Sequence, residues 1–113
     1  YSLGRMPFVA KAAVERELAR WEERVVRGWN EGWYTLPQQI GKQLEPILGA
    51  HPGEVIGCDS TSVNLYKTAF AALEASVAQD PKRVNIVSDA HNFPSDLYVL
   101  AEVARQFGGS LSI

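Results

Sequence analysis

From residue 54 onward the chain alternates short apolar runs with helix-length amphipathic segments, and few architectures accommodate that order. Val55 to Gly57 reads as a short buried strand. A helix starts near Thr61 or Ser62, with Val63, Tyr66, Phe70, Leu73 and Val77 at helical spacing and Ala69, Ala71 and Ala72 allowing close packing. Asp80-Pro81 breaks it. Val84 to Ser88 is a second strand, and Asp89 to Pro94 is the loop at its carboxyl end. A further helix runs from about Ser95 to Phe107, with Leu97, Leu100, Ala101 and Ala104 on one side. Gly108-Gly109 ends it, and Ser110 to Ile113 enters a third strand. The order β-α-β-α-β predicts an α/β fold with a parallel sheet and right-handed crossovers.

Two helices come first. Pro7 suits a helix start, and Val14, Leu18, Trp21 and Val25 form one apolar stripe ending near Gly28. Charged residues from Glu15 to Arg24 fill the other faces as a solvated surface. Trp29 to Tyr34 is an aromatic cluster split by Gly32, so no regular helix is predicted there. Its rings either pack beneath the loop or line a pocket or interface. Leu36-Pro37 opens the second helix, Ile40, Leu44, Ile47 and Leu48 mark its apolar face, and Gly49 ends it. His51-Pro52-Gly53 is turn chemistry, with His51 facing solvent. Residues 1–53 are therefore read as a helical segment and 54–113 as the start of an α/β domain.

A net charge of −2 and a pI near 5.6 argue against an electrostatic nucleic-acid binder. No apolar run reaches the roughly 20 residues that span a bilayer, and no signal-peptide pattern opens the chain. One cysteine, Cys58, fits a reducing compartment, so a cytoplasmic location is expected. Cys58 at a strand end is read as a small structural residue without a catalytic role, and no metal site is expected.

The chemistry gathers at two strand-to-helix junctions. Ser60, Thr61 and Ser62 place hydroxyls beside the unpaired N–H groups and positive pole of a helix start. Such a site either caps the helix, through Asp59, Ser60 or Thr61, or binds a phosphate. Neither a G-x-x-x-x-G-K nor a G-x-G-x-x-G pattern is present, which sets aside a P-loop and a dinucleotide fold. At the second junction Phe93 and Asp96 flank Pro94-Ser95. Asp96 is either a first-turn acid or a carboxylate beside a ring cation, with Phe93 against a flat ring. Ligands of open α/β sheets bind outside the carboxyl ends of the strands, where both junctions are expected. A phosphate site, a stacking aromatic and a carboxylate together suit pyridoxal 5′-phosphate.

Four stretches resemble the kynureninase family, pyridoxal-phosphate enzymes of fold type I in the aspartate aminotransferase superfamily. They are Ser2-Leu3-Gly4, Trp29-Asn30-Glu31-Gly32-Trp33, Asp59 through Leu65, and Asn92-Phe93-Pro94-Ser95-Asp96. Tyr1 departs from the pattern, which has Asn there. The resemblance implies that Thr61 and Ser62 hold the cofactor phosphate, that Phe93 stacks on the ring, and that Pro94, Ser95 and Asp96 complete the cofactor loop. It implies that Ser2 and Trp33 lie on the substrate side, Trp33 in a segment near a homodimer interface. The family hydrolyses L-kynurenine to anthranilate and L-alanine, and in some members 3-hydroxykynurenine to 3-hydroxyanthranilate. It serves tryptophan catabolism or NAD biosynthesis.

The resemblance covers the N-terminal minority of a family member, the start of its cofactor-binding large domain. The Schiff-base lysine of the family is expected beyond Ile113, so no catalytic residue is assigned among Lys11, Lys42, Lys67 and Lys82, and the fragment alone is expected to be inactive. The competing readings are another fold-type-I enzyme, such as a cysteine desulfurase, and a non-catalytic α/β binding module. A desulfurase usually places a histidine where Phe93 stands.

Overall fold

The structure is a computed structural model that describes residues 4–113. These form two compact units, one up to Gly57 and one from Cys58 to Ile113.

In the first unit, α1 spans Phe8–Arg24. It stops short of Gly28 because Val25 turns into the left-handed region at φ 49. The stripe predicted on it is present but uncovered: Val14, Leu18, Trp21 and Val25 are each more than half exposed. Two short 3-10 turns follow: Val25–Trp29, most of which was predicted to continue the helix, and Trp33–Thr35, in the segment where no regular helix was predicted. Helix α2 runs Leu36–Leu48 with Pro37 in its first turn and Gly49 as its C-cap, as predicted. Glu45 is buried on α2, and its carboxylate accepts the Gly53 N–H at 2.7 Å, tying the His51-Pro52-Gly53 turn to the helix. His51 is exposed, as predicted.

The strand predicted at Val55 to Gly57 is not formed. A strand requires a ladder partner, and this backbone is engaged with α2 instead. The Gly57 N–H donates to the Pro37 carbonyl at 3.0 Å. The Val55 carbonyl lies so close to Gly41 that a Cβ there would stand 1.8 Å from it, so only glycine admits this approach.

In the second unit, α3 (Thr61–Gln79) begins where predicted and ends at Asp80. Strand β1 is Ile86–Val87, α4 is Pro94–Gln106, and β2 is Leu111–Ser112. The strands pair in parallel, Ile86 with Leu111 and Val87 with Ser112, which is the β-α-β crossover expected of an α/β chain. They are shorter than predicted because only one neighbour supports each. The ladder bonds are Ile86 N–H to Ser110 O at 3.0 Å and Ser88 N–H to Ser112 O at 2.9 Å. The Asn85 side chain extends it, its Oδ1 accepting the Ser110 N–H at 2.9 Å and the Ser110 hydroxyl at 3.2 Å.

The core of this unit lies between α3 and α4. Leu73, Val103 and Ala104 are buried there. Phe70 and Phe107 meet as a tilted ring pair with centroids 5.0 Å apart, and the Tyr66 hydroxyl donates to Gln106 Oε1 at 3.2 Å.

Candidate functional site

The first candidate group is built by the turn entering α3. Ser60 is the N-cap: it is extended, and its Oγ accepts the Val63 N–H at 3.4 Å. Its carbonyl accepts the Asn64 N–H at 2.9 Å. Those two bonds use the third and fourth N–H groups of the helix and leave the first two facing outward. Thr61 is exposed and Ser62 half-buried, and among the described residues neither their hydroxyls nor their N–H groups meet a partner. The cap and the open donors therefore coexist: Ser60 closes one side of the turn, while the Thr61 and Ser62 donors are left without a partner among the described residues.

Two neighbours of this turn escaped the sequence reading. Asn64 donates its Nδ2 to the Cys58 carbonyl at 2.9 Å and accepts the Cys58 thiol at 3.3 Å. Its place in the Asp59-to-Leu65 stretch and its spacing of four from Ser60 were the signals available, and neither named its partners. Lys67, to which no catalytic role was assigned, pairs its ammonium with the Asp59 carboxylate. That hydrogen bond, with the carboxylate charge behind it, raises the Lys67 pKa above its ordinary value. Asp59 holds a left-handed φ of 30.

The second candidate group stands at the start of α4. Phe93 is the extended N-cap residue and is 72% exposed. Pro94 occupies the first turn, where its fixed φ suits the helix and its missing N–H costs nothing. Asp96 lies in the same turn, its N–H donating to the Phe93 carbonyl at 2.9 Å and its Oδ1 accepting the Ser95 hydroxyl at 3.4 Å. A carboxylate there also complements the helix dipole. The preceding loop is held by Asp89, which accepts the His91 N–H, and by Asn92, whose Nδ2 donates to Ser88 Oγ.

The structure thus brings Thr61 and Ser62 together, and Phe93, Pro94, Ser95 and Asp96 together. The α3–α4 side-chain contacts run through Tyr66–Gln106 and Phe70–Phe107, at the far end of α4 from Phe93. Among the described residues no hydrogen bond or ring contact joins the two groups. Trp33 belongs to the first unit. Its indole lies on α1, donating to Glu17 Oε2 at 3.0 Å beneath the Arg20 guanidinium, 5.9 Å from the ring centroid. With Val14, Leu18, Trp21 and Leu36 it lines an apolar groove of about 560 Å³. Ser2 lies outside the described residues.

Over 108 residues the chain is 42% identical to a kynureninase of Burkholderia pseudomallei (strain K96243), covering 94% of this chain and 26% of that protein. The chain carries kynureninase-type sequence. A Pseudomonas fluorescens kynureninase is 39% identical over 110 residues, and one from Burkholderia mallei (strain SAVP1) 42% over 107. Each covers 93% of this chain and 26% of its own length, so the chain spans about a quarter of the kynureninases it matches. No family model and no solved structure matches it. The resemblance read from the four stretches is borne out, including its restriction to a minority of a family member.

Pyridoxal 5′-phosphate, which the kynureninase resemblance implies, is consistent with the donor chemistry present. Open hydroxyl and N–H donors at the start of a 19-residue helix suit a phosphate dianion. An exposed phenylalanine and a carboxylate in the same first helical turn suit a cationic aromatic ring. Among the described residues no helix is long and apolar enough to cross a membrane, and no cluster of His, Cys, Asp and Glu is arranged to hold a metal.

Proposed function

We infer that the chain is the N-terminal, cofactor-binding part of a kynureninase that hydrolyses L-kynurenine, or its 3-hydroxy form, to anthranilate or 3-hydroxyanthranilate and L-alanine. The observation that carries this reading is the open pair of hydroxyl residues, Thr61 and Ser62, at the start of α3 in a chain 42% identical to a kynureninase along 94% of its length.

In this reading Thr61 and Ser62 hold the cofactor phosphate through hydroxyl and backbone N–H donors. Phe93 would lie against the cofactor ring, and Asp96 would supply a negative charge that keeps the ring nitrogen protonated. Pro94 and Ser95 complete the cofactor loop. The bound cofactor supplies an electron sink for breaking the carbon–carbon bond. Trp33 and Ser2 contribute to the substrate side. The remainder of the fold-type-I large domain, the covalent lysine and the second subunit of a cytoplasmic homodimer complete the enzyme.

The test is cofactor titration of the full-length protein, followed by absorbance, with turnover of L-kynurenine measured alongside. Thr61→Val is expected to weaken cofactor binding and Phe93→Ala to lower turnover while both stay folded. Unchanged affinity and activity in both variants would refute the assignment.

A further inference from the structure

We propose that Asn64 is a positioning residue for the phosphate-binding turn, holding the Thr61 and Ser62 donors in place without touching the ligand. This rests on the reading of that turn as the cofactor phosphate site. Asn64 stands one turn inside α3 and is half-buried. Its Nδ2 donates to the Cys58 carbonyl at 2.9 Å, its Oδ1 accepts the Cys58 thiol at 3.3 Å, and its backbone N–H donates to the Ser60 carbonyl at 2.9 Å. One residue therefore ties both ends of the three-residue turn Cys58-Asp59-Ser60 to the body of the helix. The middle residue, Asp59, sits at φ 30, a conformation that a residue with a Cβ keeps only when its surroundings hold it there. Thr68 anchors Asn64 in turn, its hydroxyl donating to the Asn64 carbonyl at 2.8 Å.

Both polar groups of the carboxamide are engaged with Cys58, so its action on a ligand is through geometry. Without it the turn relaxes, and fewer molecules present the Thr61 and Ser62 donors in convergent positions. Apparent affinity falls by that fraction. The loss is confined to the phosphate end, because the carboxamide does not contact the Phe93 group.

The test compares two ligands on the full-length protein: pyridoxal 5′-phosphate and pyridoxal, which lacks the phosphate. Binding is followed by absorbance and folding by circular dichroism. Asn64→Ala is expected to weaken pyridoxal 5′-phosphate about tenfold, the size of one or two lost hydrogen bonds, and to leave pyridoxal unchanged. Asn64→Gln keeps the amide but moves it by one methylene, and the same selective loss is expected. Equal loss for both ligands, no loss for either, or failure of both variants to fold overturns the positioning role. Thr61→Val separates the two ideas. If it is selective against the phosphate ligand while the Asn64 variants are not, only the positioning role fails. If Thr61→Val is itself unselective, the phosphate reading fails with it.

Discussion

The indole N–H of Trp33 donates to Glu17 Oε2 across 3.0 Å, fixing a ring from one 3-10 turn onto α1. Its six-membered ring rests on Gly28, where an added Cβ would meet ring carbons at 2.8 Å. Gly28→Ala is therefore expected to displace the indole and destabilise the full-length protein by about 1–3 kcal/mol through overpacking. Urea denaturation followed by indole fluorescence checks this; an unchanged midpoint and spectrum would contradict it.

Thr61→Val removes a hydroxyl at the start of α3 and keeps the shape of the side chain. The expected loss of pyridoxal 5′-phosphate affinity is about 1–3 kcal/mol, the range of a hydrogen bond to a charged group. Competition by inorganic phosphate should weaken in parallel.

Two ion pairs predict opposite pH dependences. Asp59 raises the Lys67 pKa, so this pair's contribution to stability is complete below the ordinary lysine value of 10.5 and is lost as pH rises through the higher folded value. Arg105 lowers the Glu102 pKa, first by hydrogen bonding, so that contribution is complete above the ordinary value of 4.5 and is lost as pH falls through the lower folded value. Both pairs are exposed, and salt should weaken both. In unfolding midpoints measured across pH, Lys67→Gln should flatten only the alkaline limb and Arg105→Gln only the acid limb.

His51→Ala and Cys58→Ala are expected to leave turnover of the full-length enzyme within a few-fold of the parent. His51 is exposed and contributes its backbone to the turn, donating to Glu54 Oε2 at 2.8 Å. Cys58 keeps its carbonyl bond to Asn64 when its thiol is removed. Loss of turnover with the fold retained in either variant would show a role that the geometry does not.

Expressed alone, the 113-residue chain is expected to unfold without a sharp transition. Its buried apolar side chains among the described residues are Leu73, Val103 and Ala104, while Leu18, Trp21, Ile47 and Phe93 stand exposed. Cooperative unfolding needs a larger shared core than that. A steep thermal melt from a monomeric sample would overturn the expectation.

The helices were legible because their signals are local. Pro37, Gly49, the hydroxyl run at Ser60 and Asp80-Pro81 each mark a boundary within a residue or two of where it falls. Val55 to Gly57 was misread because a strand is a partnership, and an apolar run does not name its partner; here the Gly57 N–H goes to Pro37 on a helix. The end of α1 was placed too late because nothing in the local pattern reveals that Val25 adopts φ 49. The hydroxyls of the candidate site were legible from their place before a helix. Asn64 was not, because its partners are a carbonyl and a thiol six residues earlier, and helical periodicity carries no sign of a side chain folding back across a turn.

The Asn85 side chain that accepts from Ser110 has a consequence for how the two strands find each other. A slip of one residue would turn Leu111 toward the opposite face, and loss of apolar contact forbids it. A slip of two residues keeps every face and would otherwise be nearly silent in so short a ladder. It would, however, carry Ser110 away from Asn85 and strip both its N–H and its hydroxyl of their acceptor. Asn85 therefore acts as a stop at the open end of the ladder, making one alignment of Ile86 with Leu111 distinct from its near-equivalents.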